Sequence, residues 1–193
     1  MIQVELYNST MIEIAVISLL LFLIVIICFV ISGTLLEFVG ELLTDVPFVP
    51  VKKELLPHIA EALGANEKSV VYDIGSGDGR VVSYIAKECR PIKAIGIEIA
   101  PLPYLVARFK RKRSGLPVTF IRRNMFQVPL SDATHVFCYL LTKTMEKLEP
   151  KFAEELKNAR LVSCDFRLKH KEPSATLRVP VGKKTYTLYT YEF

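Results

Sequence analysis

The chain has 193 residues, 25 Lys and Arg against 20 Asp and Glu, and 51% hydrophobic residues, with a mean hydropathy of +0.32. That length leaves room for one ordinary domain and a short extra segment. The four cysteines (Cys28, Cys89, Cys138, Cys164) form no CxxC pair and sit in apolar runs, and His58, His135 and His170 add no ligand spacing. This excludes a disulfide framework or zinc module and is read as reduced cysteines with no metal.

The hydrophobic excess is concentrated at the start. Residues 14–36 form an uncharged run of 23 residues. As a helix this run reaches about 34 Å, enough to cross a hydrocarbon core of about 30 Å. A cleaved signal peptide needs a basic start and a shorter apolar region. Residues 1–13 instead carry Glu5 and Glu13 and no Lys or Arg. The expectation is a permanent transmembrane helix over 14–36, with 1–13 outside the cytoplasm. No basic residue precedes Lys52, so the positive-inside bias puts the rest of the chain in the cytosol. Without the five acids before Lys52, 15 acidic residues face 25 basic ones, a net +10 that favours anionic partners.

Residues 37–51 are read as an extended connector, because Pro47 and Pro50 bias their predecessors away from helix. Residues 52–193 then alternate. Helical periodicity over 52–63, its start delayed by Pro57, ends at Gly64. Strands are predicted over 69–74, 93–98, 118–122, 134–140 and 161–166, with helices over 79–89, 101–112 and 143–157 between them. This predicts a parallel sheet covered by helices. Two β-rich runs, 175–179 and 184–191, flank Gly182-Lys183 and predict a closing antiparallel hairpin. The fold class is therefore α/β and Rossmann-like.

The segment Val70-Val71-Tyr72-Asp73-Ile74-Gly75-Ser76-Gly77-Asp78-Gly79-Arg80 carries the chemistry. A buried strand enters three alternating glycines and a helix begins at once. Glycines let the backbone turn and approach a ligand, and the helix N-terminus offers free N–H groups to an anionic group such as a carboxylate. Dinucleotide loops place the third glycine one residue later and seat a pyrophosphate on the helix. Here Asp73 abuts the loop, where a carboxylate repels pyrophosphate but suits the ammonium of an amino acid. S-adenosylmethionine (SAM) fits better than a nicotinamide cofactor. The apolar strand Ala94-Ile95-Gly96-Ile97 ends in Glu98, which is placed to accept hydrogen bonds from both ribose hydroxyls. After the third strand, Asn124 either meets the adenine edge or is a turn residue, and Met125 or Phe126 packs on the adenine face. The expected cofactor residues are Asp73, Gly75, Ser76, Gly77, Gly79, Glu98, Asn124 and Met125.

At these residues the chain resembles the seven-strand SAM-dependent methyltransferases. It resembles more closely the membrane-anchored protein-lysine methyltransferases of mitochondria, which modify the adenine nucleotide translocase and the c-subunit of ATP synthase, and their short prokaryotic relatives. Pro47-Phe48-Val49-Pro50 resembles the segment before their catalytic domain. Met145-Glu146-Lys147-Leu148 with Val162-Ser163-Cys164-Asp165-Phe166 resembles their second half. One departure is Asn124, where an aspartate is usual. Another is Tyr139-Leu140-Leu141 in place of an Asn- or Asp-Pro-Pro-Tyr signature, which weighs against methylation of amide or adenine nitrogens. The resemblance implies a protein-lysine acceptor in or near the membrane. Tyr139 and Asp165, at the ends of strands four and five, are the candidates for positioning the amine, unless their role is structural.

The domain has no segment for a lid, which suits a macromolecular substrate. The basic run Arg108-Phe109-Lys110-Arg111-Lys112-Arg113, with Arg122 and Arg123, reads as a solvated helix end, an anionic-lipid contact or a nucleic-acid contact. Two readings compete: a methyltransferase of another substrate (RNA, lipid or a small molecule), and a noncatalytic SAM-binding membrane or RNA module, which has an intact cofactor loop against it. In either membrane reading the site faces the cytosol in a prokaryote, or lies at the mitochondrial inner membrane in a eukaryote.

Overall fold

The computed structural model describes backbone for residues 2–44 and 50–193 and side chains for 11–35 and 50–193. The chain divides into two units, Met1–Val39 and Gly40–Phe193. Helix α1 runs over Ile2–Thr44. It extends beyond the 14–36 span at both ends, through the predicted outer segment and through residues 37–44, where an extended link was predicted. The reason is local. No proline occurs before Pro47, and the acids that bound the apolar run are ordinary helix residues. Residues 45–49, including Pro47-Phe48-Val49, lie outside the described residues. From Met11 to Leu35 the large apolar side chains are exposed. Within this run the Ser32 and Thr34 hydroxyls donate to the carbonyls of Phe29 and Ile31, each at 2.9 Å, so neither needs water.

In the second unit a 3-10 turn at Lys53–Leu55 leads into α2 (Leu56–Leu63), whose Pro57 sits in the first turn, where no backbone donor is required. The alternation follows as β1 (Val70–Ile74), α3 (Arg80–Glu88), β2 (Lys93–Ile97), α4 (Pro101–Ser114), β3 (Val118–Ile121), β4 (His135–Cys138), α5 (Thr142–Glu155) and β5 (Arg160–Cys164). The hairpin β6 (Ala175–Val181) and β7 (Lys184–Glu192) closes the chain. The seven strands are ordered β3-β2-β1-β4-β5-β7-β6; the first five are parallel and β7 runs antiparallel between β5 and β6.

Both faces of the central strands are buried, and successive residues serve opposite faces. Val71, Phe137 and Val162 pack with Leu56, Ile59 and Leu63 of α2 and Val81 and Ile85 of α3. Their neighbours Tyr72, Val136 and Leu161 pack with Met145, Leu148 and Phe152 of α5. Cys138 and Cys164 are buried thiols in these two layers, and no described cysteine is disulfide-bonded. The chain winds outward from β1 to β3 and then returns to β4 on the other side of β1. Ligands of open α/β sheets bind at this reversal, outside the carboxyl ends of the strands.

Candidate active site

A cleft opens at that reversal. Asp73, Gly75, Ser76, Gly77, Glu98, Met125 and Tyr139 line it, together with Pro50, Asp78, Ala100 and Leu140. The glycine loop is clamped from below: the N–H groups of Gly75 and Ser76 both donate to the Ile97 carbonyl at 2.9 Å. Gly75, Gly77 and Gly79 have φ of 73°, 55° and 74°, the left-handed region that disfavours a Cβ. Gly75 also lacks room for one, since a Cβ would lie 2.8 Å from Leu140 Cδ2. Gly79 serves the fold, because a Cβ there would lie 2.3 Å from Phe120 Cζ. It does not line the cleft.

Glu98 braces the loop. Its Oε2 accepts the Gly77 N–H and its Oε1 the Ala100 N–H, both at 2.8 Å. A carboxylate has about four lone-pair positions, so each oxygen retains capacity for a ribose hydroxyl. Asp73 is 2% exposed and its Oδ2 accepts the Val82 N–H of the first α3 turn at 3.3 Å. Burial raises its carboxyl to about 7, against the lowering effect of that hydrogen bond and with further help from the charges of Glu98 and Asp78. The buried Ser76 Oγ has no hydrogen-bond partner among the described residues. An orphaned hydroxyl, a glycine cradle and two carboxylates at its rim fit a nucleoside carrying an amino acid.

Asn124 does not line the cleft. Its Oδ1 accepts the Phe126 N–H at 3.0 Å and starts the 3-10 turn Met125–Gln127, so the turn uses the oxygen. Met125 does reach the cleft, while Phe126 is exposed.

Tyr139 and Asp165 follow directly on the parallel neighbours β4 and β5, and the Tyr139 hydroxyl donates to Asp165 Oδ2 at 3.2 Å. Tyr139 lines the cofactor cleft and Asp165 does not. Asp165 has φ +63°, a conformation tolerated by Asp better than by most residues. It is fixed there by its N–H, which donates to the Thr187 carbonyl at 2.7 Å, and by its Oδ1, which accepts the Thr187 N–H at 2.9 Å.

Three site features escaped the sequence reading. Lys184 Nζ lies 2.9 Å from Asp165 Oδ2, although the two residues are 19 positions apart in the chain. Asp78, inside the loop, pairs with Arg80 at 2.7 Å and Lys110 at 2.6 Å. Burial pushes its carboxyl up, but the hydrogen bonds and charges of these two cations outweigh burial and hold it at about 2. Arg80 also donates to the Val51 carbonyl at 2.7 Å, which fixes the entering chain as one wall of the cleft. The Asp78-to-Arg80 spacing was a signal in the loop itself; the Val51 and Lys184 contacts had none.

The sheet order and the glycine cleft define a class I methyltransferase that uses S-adenosylmethionine. Residues 73–175 match the family described as ANTKMT methyltransferase domain, and the chain belongs to this family. It is 33% identical over 149 residues to a protein-lysine N-methyltransferase of Saccharolobus islandicus, covering 76% of this chain and 92% of that one. It is 31% identical over 148 residues to the ATP synthase C-subunit lysine N-methyltransferase of Caenorhabditis elegans, covering 72% and 77%. Among solved structures, an RNA methyltransferase from Salinibacter ruber in complex with S-adenosyl-L-homocysteine superposes with a TM-score of 0.67 at 34% identity, over 74% of this chain and 93% of that one.

Proposed function

We propose that this methyltransferase is anchored in a membrane by α1 and methylates lysine side chains of proteins at that membrane. The observation that carries the lysine reading is the pairing of the Tyr139 hydroxyl with Asp165 Oδ2 beside the cofactor cleft. A carboxylate attracts an ammonium and an aromatic ring stabilises it, so this pair suits an amine better than a neutral acceptor. The two relatives named as lysine methyltransferases support the same class.

When bound, the cofactor would supply an electrophilic methyl on a sulfonium, to be passed to an acceptor nitrogen that has already given up its proton. The protein's part is alignment. Glu98 would hold the ribose, the glycine loop and the α3 N-terminus would hold the amino-acid end, and Tyr139 with Asp165 would orient the acceptor nitrogen. The amine must be neutral to attack, and its ordinary pKa is about 10.4, so the ammonium that Asp165 attracts has to lose its proton before transfer.

The anchor reading rests on the exposed apolar side chains of Met11–Leu35, a stretch of 25 residues. The absence of Lys and Arg before Lys52 supports a cytosolic domain. Helix α4 supports a membrane-facing surface, because Leu105 and Phe109 are 54% and 67% exposed one turn apart among Arg108, Lys110, Arg111 and Lys112.

A second reading, an RNA acceptor, has one observation in its favour: the name of the Salinibacter ruber structure. Incubating the purified protein with methyl-labelled SAM and its own membrane extract separates the two. The expected outcome is label that protease releases, that survives ribonuclease, and that hydrolysis recovers as methyl-lysine. At limiting cofactor, Glu98→Ala lowers incorporation about thirtyfold or more, the equivalent of losing charged hydrogen bonds of about 2 kcal/mol. Label recovered from RNA establishes the second reading instead.

A further inference from the structure

Because β7 runs antiparallel beside β5, its first residues reach past the carboxyl ends of the parallel strands and lie against Asp165. Lys184 Nζ is thereby 2.9 Å from Asp165 Oδ2, 3.4 Å from Tyr139 Oη and 4.2 Å from the centroid of the Tyr186 ring. A carboxylate, a phenol oxygen and an aromatic face are what an alkylammonium ion requires. The receptor groups are far less exposed than the lysine. Tyr186 is buried and the Asp165 side chain is 18% exposed, whereas the Lys184 side chain is 55% exposed. A half-exposed surface chain therefore caps a largely buried cation site.

The ion pair is not what holds Asp165 in place. That task falls to its backbone N–H and its Oδ1, both bonded to Thr187. Oδ2 is left to face Tyr139 and Lys184. The Tyr139 side chain that touches this ammonium also lines the cofactor cleft.

We propose that Tyr139, Asp165 and Tyr186 form the subsite for the ammonium of the acceptor lysine, and that Lys184 occupies it as an internal stand-in displaced by the acceptor. The proposal rests on the lysine-acceptor reading above. Exchange of one ammonium for another keeps the Asp165 carboxylate paired as the acceptor binds, so docking does not leave it buried and uncompensated. It also gives specificity: only an acceptor carrying a cation of this shape replaces Lys184, and neutral amides do not. The internal occupant weakens acceptor binding by the fraction of time it holds the site.

The test uses the full chain in detergent, with n-butylammonium as the lysine side-chain probe and the ring signals of Tyr139 and Tyr186 as the NMR readout. Occupancy above nine-tenths predicts that Lys184→Met tightens n-butylammonium binding about tenfold. Lys184→Arg, which keeps the cation, should match the wild type, and adding Asp165→Asn to Lys184→Met should abolish the gain. S-adenosylhomocysteine affinity should be unchanged by Lys184→Met, which also reports an intact fold. With poly-L-lysine as acceptor, the same substitution should lower KM about tenfold and leave kcat unchanged. Unchanged or weaker n-butylammonium binding in Lys184→Met, with cofactor binding intact, overturns the subsite and leaves the lysine reading standing. The expected n-butylammonium result without any transfer to poly-L-lysine overturns the lysine reading and leaves the cation site.

Discussion

Asp73 is a buried acid whose charge depends on what it faces. Desolvation raises its carboxyl from 3.8 to about 7. The folded state therefore favours the protonated form, and the sign follows: this group's contribution to stability falls as pH rises from about 4 to about 7. A bound amino-acid ammonium favours the carboxylate, so cofactor binding should release a proton below pH about 7. S-adenosylhomocysteine affinity, measured by calorimetry, should rise about tenfold between pH 6 and pH 8 and then level off. Asp73→Asn should bind more weakly and lose this step. At the same scale Glu98 was legible and Asn124 ambiguous, for one reason. The strand end fixes the direction of Glu98, whereas an Asn after a strand serves equally as a turn former, and here its oxygen bonds the Phe126 N–H.

Elements differ in how far the sequence discloses them. The strand, glycine loop and α3 were legible because their signals lie within a dozen consecutive residues. The length of α1 was not, because charged residues mark where an apolar run ends and not where a helix ends. The hairpin was legible as a hairpin. Its insertion beside β5 was not, since the pairing of Cys164 with Leu188 is nonlocal, and with it Lys184 and Tyr186 stayed hidden from the site. Pro150 sits inside α5, where sequence rules place a break. One turn of that helix is secured by the buried Glu149, whose carboxylate accepts the N–H groups of Lys169 and His170 at 2.9 and 2.7 Å.

Helix α4 gives this scale its prediction. Residues 50–193 carry their own core, and helix α4 presents Leu105 and Phe109 among basic residues. This fragment should therefore sediment with phosphatidylglycerol-rich vesicles and not with phosphatidylcholine vesicles. Replacing both Leu105 and Phe109 by Ser should weaken the association tenfold or more, because each apolar side chain contributes about 1.5–3 kcal/mol when buried. Equal binding by the double variant would remove α4 from the membrane contact.

For the whole molecule, anchor and enzyme make one mechanism if the tether confines enzyme and substrate to the same surface. Removing residues 1–45 should then leave cofactor affinity intact and slow methylation of a membrane-resident target through lost effective concentration. The sheet type, parallel strands with a closing hairpin, was the most legible feature of all, because alternating strand and helix patterns admit few arrangements. The acceptor was the least legible, because the proposed subsite draws on the ends of three strands. The most direct test is therefore quantitative mass spectrometry of membrane proteins from cells with the intact gene, without it, and with the gene lacking residues 1–45. A set of methyl-lysine sites should vanish without the gene and diminish when the anchor is removed. An unchanged methyl-lysine profile, with methyl groups lost only from RNA or lipid, would contradict the account.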